Sequence, residues 1–76
     1  MELQVLGTGC PKCEKLLGNV EQAVTELGLD CRVTKVTDLN EIMSYGVMMT
    51  PALAVDGQVK VAGKVPSVEE VKSIIG

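Results

Sequence analysis

Apolar and polar positions along the chain fall into segments of two periods. Leu3-Gln4-Val5-Leu6 alternates and runs into Gly7-Thr8-Gly9, the pattern of a short strand entering a tight turn. From Pro11 the spacing becomes helical, with Leu16, Leu17, Val20, Ala23, Val24 and Leu27 on one stripe. Pro11 suits a first helical position, where its missing N–H would have no partner anyway, and Gly28 suits the exit. Cys31 to Val36 returns to a period of two, with Cys31, Val33 and Lys35 on one face. Asp38 with Glu41 three residues on reads as a capping box opening a short helix through Leu39, Ile42 and Met43 toward Gly46. Ala52–Val55 and Gln58–Ala62 flank Asp56-Gly57, the strongest short-range hairpin signal. Ser67 with Glu70 is a second capping box, before a helix carrying Val68, Val71, Ile74 and Ile75. The predicted order is β-α-β-α-β-β-α. This is an α/β fold whose first helix links two parallel strands and whose hairpin adds an antiparallel edge, giving a mixed four-stranded sheet with three helices.

Seventy-six residues predict one domain over 1–76, with a core yielding only a few kcal/mol of net stability. The only aromatic residue is Tyr45, so that core must be built from Val, Leu, Ile, Ala and Met. The same lack removes stacking platforms for bases, and a net charge of −3 repels phosphate backbones; no nucleic acid is expected as a partner. The longest apolar stretch, Val47 to Val55, is interrupted by Thr50 and Pro51 and falls short of the roughly 20 residues a spanning helix needs, so no membrane partner is expected. Met1-Glu2-Leu3 lacks the basic start of a secretory signal, and a cytoplasmic monomer is the expectation. Three cysteines cannot form a complete disulfide framework, and in a reducing compartment thiols become oxidised only where they cycle for a purpose.

Cys10-Pro11-Lys12-Cys13 stands at the junction of the first strand and first helix. Residues three apart on a first helical turn share a face, with Cα atoms roughly 5 Å apart, within the reach of a disulfide. A helix start presents unpaired N–H groups and partial positive charge, which favour a thiolate at Cys10; Lys12 adds to this and Glu14 slightly opposes it. Cys13, one turn further in, is the more shielded thiol. Cys10 thus reads as the attacking nucleophile and Cys13 as the thiol that resolves the mixed disulfide. A purely structural bridge across so short a loop would contribute only about 2 kcal/mol. A structural zinc site wants four Cys or His ligands, and this chain has no His and one further Cys. No cofactor is expected. Cys31, in a strand pattern, reads as a buried packing residue. Met43, Met48 and Met49 read either as core or as a soft apolar rim for protein substrates.

Leu-Gly-Thr-Gly-Cys10-Pro-Lys-Cys13 after the first strand, Met49-Thr50-Pro51-Ala52 before the hairpin and Gly63 before the last helix together resemble the small thioredoxin-like redox-active disulfide proteins of archaea and bacteria. The resemblance spans the whole chain and implies a minimal thioredoxin fold. It implies a thiol–disulfide oxidoreductase in which Cys10 and Cys13 are catalytic and Pro11 and Lys12 support them. It also implies a cis peptide between Thr50 and Pro51 beside the cysteines, where Thr50 offers its backbone to an extended substrate and Gly63 lies at the substrate-binding rim. Without the resemblance, Pro51 reads as a strand-opening proline. The Leu3–Leu6 strand contains no acidic residue to act as the buried carboxylate that assists proton transfer in thioredoxin. Cys-Pro-x-Cys is glutaredoxin-like, but the Gly-Gly and acidic pair that hold glutathione are represented only by Gly63-Lys64, with no acid until Glu69. The expected partners are therefore disulfide-containing proteins as substrates and a thioredoxin-reductase-type or other dithiol reductant.

The alternative is a Cu(I) or heavy-metal module, which also places Cys-x-x-Cys after a first strand, and two thiolates suit Cu(I). Such modules run β-α-β-β-α-β. The helix pattern between the second and third strands, and Pro11 between the sulfurs, count against that reading.

Overall fold

The chain forms β1 (Glu2–Leu6), α1 (Pro11–Leu27), β2 (Arg32–Val36), α2 (Leu39–Ser44), β3 (Ala52–Val55), β4 (Gln58–Ala62) and α3 (Val68–Ile75). The structure is a computed structural model and describes residues 1–9 and 11–76. The strands make a sheet in the order β2-β1-β3-β4. β1 pairs parallel with β2, Leu6 beside Val36, and antiparallel with β3, Leu6 beside Ala52. The order matches the pattern prediction. Helix α2 stands between β2 and β3, where the copper-module arrangement would have a direct connection.

Because β1 is central, its alternation fills two cores instead of one core and a wet face. Leu3 and Val5 join Leu16, Val20 and Ala23 of α1, Leu53 and Val61 of the hairpin, and Val71 and Ile75 of α3. On the opposite face Leu6, Val36 and Ala52 pack with Ile42 of α2 and with Val47. Gln4, a polar position in the pattern, is buried on this central strand. Its amide is satisfied at both ends: Nε2 donates to Glu2 Oε1 and Oε1 accepts from Gly57 N–H at 3.2 Å. With Glu2 N–H donating to Asp56 Oδ1 at 2.8 Å, this ties the hairpin turn to the start of β1.

Asp56 and Gly57 both have positive φ, 50° and 85°, the backbone of a two-residue hairpin whose twist suits its strands. The ladder is not regular. Leu53 faces Val61 but Ala54 faces Val59, so Lys60 is an extra residue in a β-bulge. Simple alternation would put Val59 and Val61 on one face; the bulge sends Val61 to the α1/α3 core and Val59 to the α2 side.

The helix signals act as read, with one change. Gly28 (φ +66°) closes α1, with Gly28 N–H bonded to Thr25 O and Leu29 N–H to Val24 O, a Schellman exit. Ser67 and Glu70 form the reciprocal box at α3. Asp38 caps α2 by accepting from Asn40 N–H at 2.8 Å, one residue earlier than a capping box does. Strand β2 opens at Arg32, leaving Cys31 just outside it, half-buried against the larger core. The core reading of the methionines is overturned: Met43, Met48 and Met49 are 62%, 97% and 64% exposed. Among the described residues, no helix is long and apolar enough to cross a membrane.

Helix α3 is fastened to α1 by Lys72, whose Nζ lies 2.9 Å from Glu26 and 3.2 Å from Glu69. The hydrogen bond from Lys72 holds Glu26 below the usual carboxylate range, and that same bond raises Lys72. The Ser67 backbone N–H lowers Glu70 in the same way. Asn19 Nδ2 adds a bond to Pro66 O, fixing the approach to α3.

Candidate active site

Strands β1 and β2 run parallel, and the described cysteine of the motif lies where both end. Helix α1 begins at Pro11, so Cys13 occupies its first turn; Pro11 and Lys12 are exposed there and Cys13 is only 5% exposed. Cys10, the predicted nucleophile, lies outside the described residues. The thiol of Cys13 rests against Gly7, the residue following β1. A Cβ built on Gly7 would fall inside the contact distance of Cys13 Sγ and 3.1 Å from Cys13 Cβ. Gly7 itself is held in line with β2 by its N–H bond to Val36 O, 3.0 Å.

The Thr50–Pro51 peptide bond is cis, as the resemblance implies, and Pro51 is fully buried while Thr50 is exposed. Since Leu6 pairs with Ala52, Gly7 and Pro51 are the next residues out of the same end of the two strands. The β1–α1 junction and the cis-proline loop therefore share one end of the sheet. Gly63 closes the same end: its N–H donates to Pro51 O at 2.9 Å, and its left-handed backbone (φ +79°) carries no Cβ where the Met49 side chain lies 3.2 Å away.

Beside Thr50 the surface opens into an apolar pocket of about 280 Å³, lined by Thr8, Leu39, Ile42, Met43, Val47, Met48 and Thr50. From α2 only Ile42 packs inward; Leu39 and Met43 are exposed and form the pocket's outer wall, the rim alternative for Met43. This concave strip meets the exposed Thr50 and the loop that leads to the cysteines. It has the shape and polarity to receive an extended apolar segment beside Thr50.

The Glu14 carboxylate, on the first turn of α1, lies 3.3 Å from Lys35 Nζ of β2, on the face predicted for Lys35; its effect on Cys10 falls outside the described residues. This pairing offsets its charge and leaves Lys12 as a cation within the motif. Lys64 lies 3.8 Å from Glu70. One feature of the site has no counterpart in the sequence reading and one has only a partial counterpart. Gly7 carries only a turn signal, because its closeness to Cys13 depends on where α1 lands on the sheet. The groove wall is foreshadowed by the methionine rim alternative, but the part Leu39 plays in it depends on which side chains α2 leaves uncovered.

The family model described as Thioredoxin domain matches residues 1–76. The chain is 50% identical over 70 residues to a thioredoxin of Methanocaldococcus jannaschii, covering 92% of this chain and 80% of that one. It is 43% identical over 75 residues to a thioredoxin of Methanothermobacter thermautotrophicus, covering 99% and 97%. A second protein of that organism, named probable thioredoxin, is 36% identical over 64 residues, covering 80% and 74%.

Proposed function

We propose, for a chain that belongs to the thioredoxin domain family and is a thiol–disulfide oxidoreductase, that it reduces disulfides of protein substrates by dithiol exchange through Cys10 and Cys13. The family implies disulfide substrates and a reductase. The finer reading assigns one thioredoxin-like domain over 1–76, working as a cytoplasmic monomer, with a thioredoxin-reductase-type flavoenzyme or another dithiol protein restoring the thiols.

The Cys10 thiolate, favoured by the start of α1 and by Lys12, attacks one sulfur of the substrate disulfide and expels the other as a thiolate. Cys13 then loses its proton and attacks the Cys10 sulfur. The mixed disulfide breaks, the second substrate thiolate leaves and takes up a proton, and Cys10–Cys13 closes. Two electrons pass from the protein to the substrate. Thr50 offers its backbone to the substrate segment, Pro51 and Gly63 shape the ground beside it, and the Leu39–Met43–Met48 wall receives apolar side chains. Unbranched thioethers adapt to many shapes, which suits a reductase with varied targets. A glutathione pocket gains little here, because Lys64 is engaged by Glu70 and Ser67 already caps the start of α3.

The observation that carries this reading is the meeting, at one end of the sheet, of the shielded Cys13 with Thr50–Pro51 and the apolar groove. It is tested with reduced protein. Brief alkylation near about pH 6.5 should label Cys10 well before Cys13. The protein should accelerate insulin reduction by dithiothreitol, and Cys10→Ser and Cys13→Ser should each abolish that activity. Tight stoichiometric Cu(I) binding without reductase activity would hand the site to metal transfer.

A further inference from the structure

Gly7 is one of the few glycines here whose missing side chain answers to space and not to backbone conformation. Five others, Gly9, Gly28, Gly46, Gly57 and Gly63, have positive φ, which side chains resist; Gly7 has none, so alanine is conformationally admissible there. Gly18 also lacks positive φ, but a Cβ there would meet only open space. At Gly7 a Cβ would overlap Cys13 Sγ. Neither partner has room to retreat as a whole. Gly7 is bonded through its N–H to Val36 O and follows the fully buried Leu6, while Cys13 belongs to a helix anchored by Leu16, Val20 and Ala23. The atom the overlap displaces is the sulfur, at the end of the short Cys13 side chain.

From this we infer that Gly7 is a positioning residue for the second half of the reaction: its bare Cα is the floor on which the resolving sulfur of Cys13 lies. The inference rests on the dithiol reading above and assigns it a further residue. A side chain at this position pushes Cys13 Sγ out of the place from which it attacks the mixed disulfide. The first step, attack by Cys10 on an incoming disulfide, does not involve that sulfur. Gly7→Ala should therefore separate the two steps, slowing resolution by about tenfold to a hundredfold, the scale of a misplacement near 1 Å, while leaving the first attack unchanged.

The experiment uses an aromatic disulfide, 5,5′-dithiobis(2-nitrobenzoate), one equivalent per reduced chain, with Cys31→Ala in every variant so that only the pair reports. With Gly7 present, one nitrothiobenzoate is released by attack and a second follows rapidly by resolution. With Gly7→Ala the first release should keep its rate and the second should lag. Cys13→Ser should stop after one release with a stable adduct; a prompt second release there would overturn the dithiol reading itself. If Cys13→Ser stops as expected and Gly7→Ala releases both equivalents at the original rates, or slows both alike, the role given to Gly7 is wrong. Should Gly7→Ala fail to fold, urea midpoints of Cys13→Ala and of Gly7→Ala with Cys13→Ala decide the matter. Removing the sulfur leaves only the 3.1 Å approach to the Cys13 Cβ, so adding Gly7→Ala to Cys13→Ala should cost far less than Gly7→Ala costs alone; an equally large loss in that background would overturn the inference.

Discussion

At the scale of single residues, Cys13 and Cys31 differ by surroundings and not by chemistry. Cys31 is half-buried against the larger core, just ahead of β2, on the face that Val33 continues. A thiol so placed acts as a small hydrophobe. Cys31→Ala should keep full reductase activity and lose about 1 kcal/mol of stability, read from the urea midpoint, since one sulfur leaves a small, partly solvated gap. Loss of turnover with the fold intact would make Cys31 part of the redox path. Residues whose roles depend on near neighbours in the chain were legible beforehand: Pro11 at a helix start, Gly28 at an exit, Asp56-Gly57 at a turn. Gln4 and Gly7 were not. Gln4 is buried because β1 became the central strand, and Gly7 is pressed because α1 lies across its end; both facts arise from pairing distant segments.

Among the elements, α2 is the least determined by its own sequence. Its six residues make fewer than two turns, too few to define a stripe, so the pattern alone does not single out which of Leu39, Ile42 and Met43 is buried. Only Ile42 reaches the core, and the rest of the apolar surface forms the wall of the groove beside Thr50. The longer helices α1 and α3, with repeated apolar spacing and clear ends, were readable almost to the residue. The bulge in β4 was not, because an extra residue leaves no mark in a run as short as Gln58–Ala62. The exposed wall makes its own prediction. Met48→Glu removes no core contact, as the side chain is 97% exposed, and so should leave stability and thiol reactivity unchanged. It should raise KM for an apolar protein substrate about fivefold, the equivalent of a ~1 kcal/mol contact, while reduction of a small aromatic disulfide stays the same. An unchanged KM would remove the groove from substrate binding.

For the whole molecule, charge and sheet edges matter most. Glu26 and Glu70 titrate below the ordinary carboxylate range in the folded chain, so the stability they add is present above the unfolded-state value and is lost as pH falls through the folded-state value. Lys72, raised, adds stability below its unfolded-state value and loses it as pH rises through the higher folded-state one. Urea midpoints should thus be level across neutral pH and decline in the acid range below about pH 4.5. Glu26→Gln should lower the neutral plateau and make the acid decline shallower; an unaltered acid limb would show that the α1–α3 ion pair contributes nothing. The sheet also has two outer strands, β2 and β4, each with backbone groups facing away from any neighbour in the order β2-β1-β3-β4. Such margins can template the addition of another chain. The extra residue at Lys60 interrupts one of them: it breaks the regular repeat of donors and acceptors and sets an exposed cation in the gap. Arg32 and Lys35 place exposed cations along the other. The irregularity that divides Val59 from Val61 between two cores thereby also discourages the hairpin from growing into a fibril.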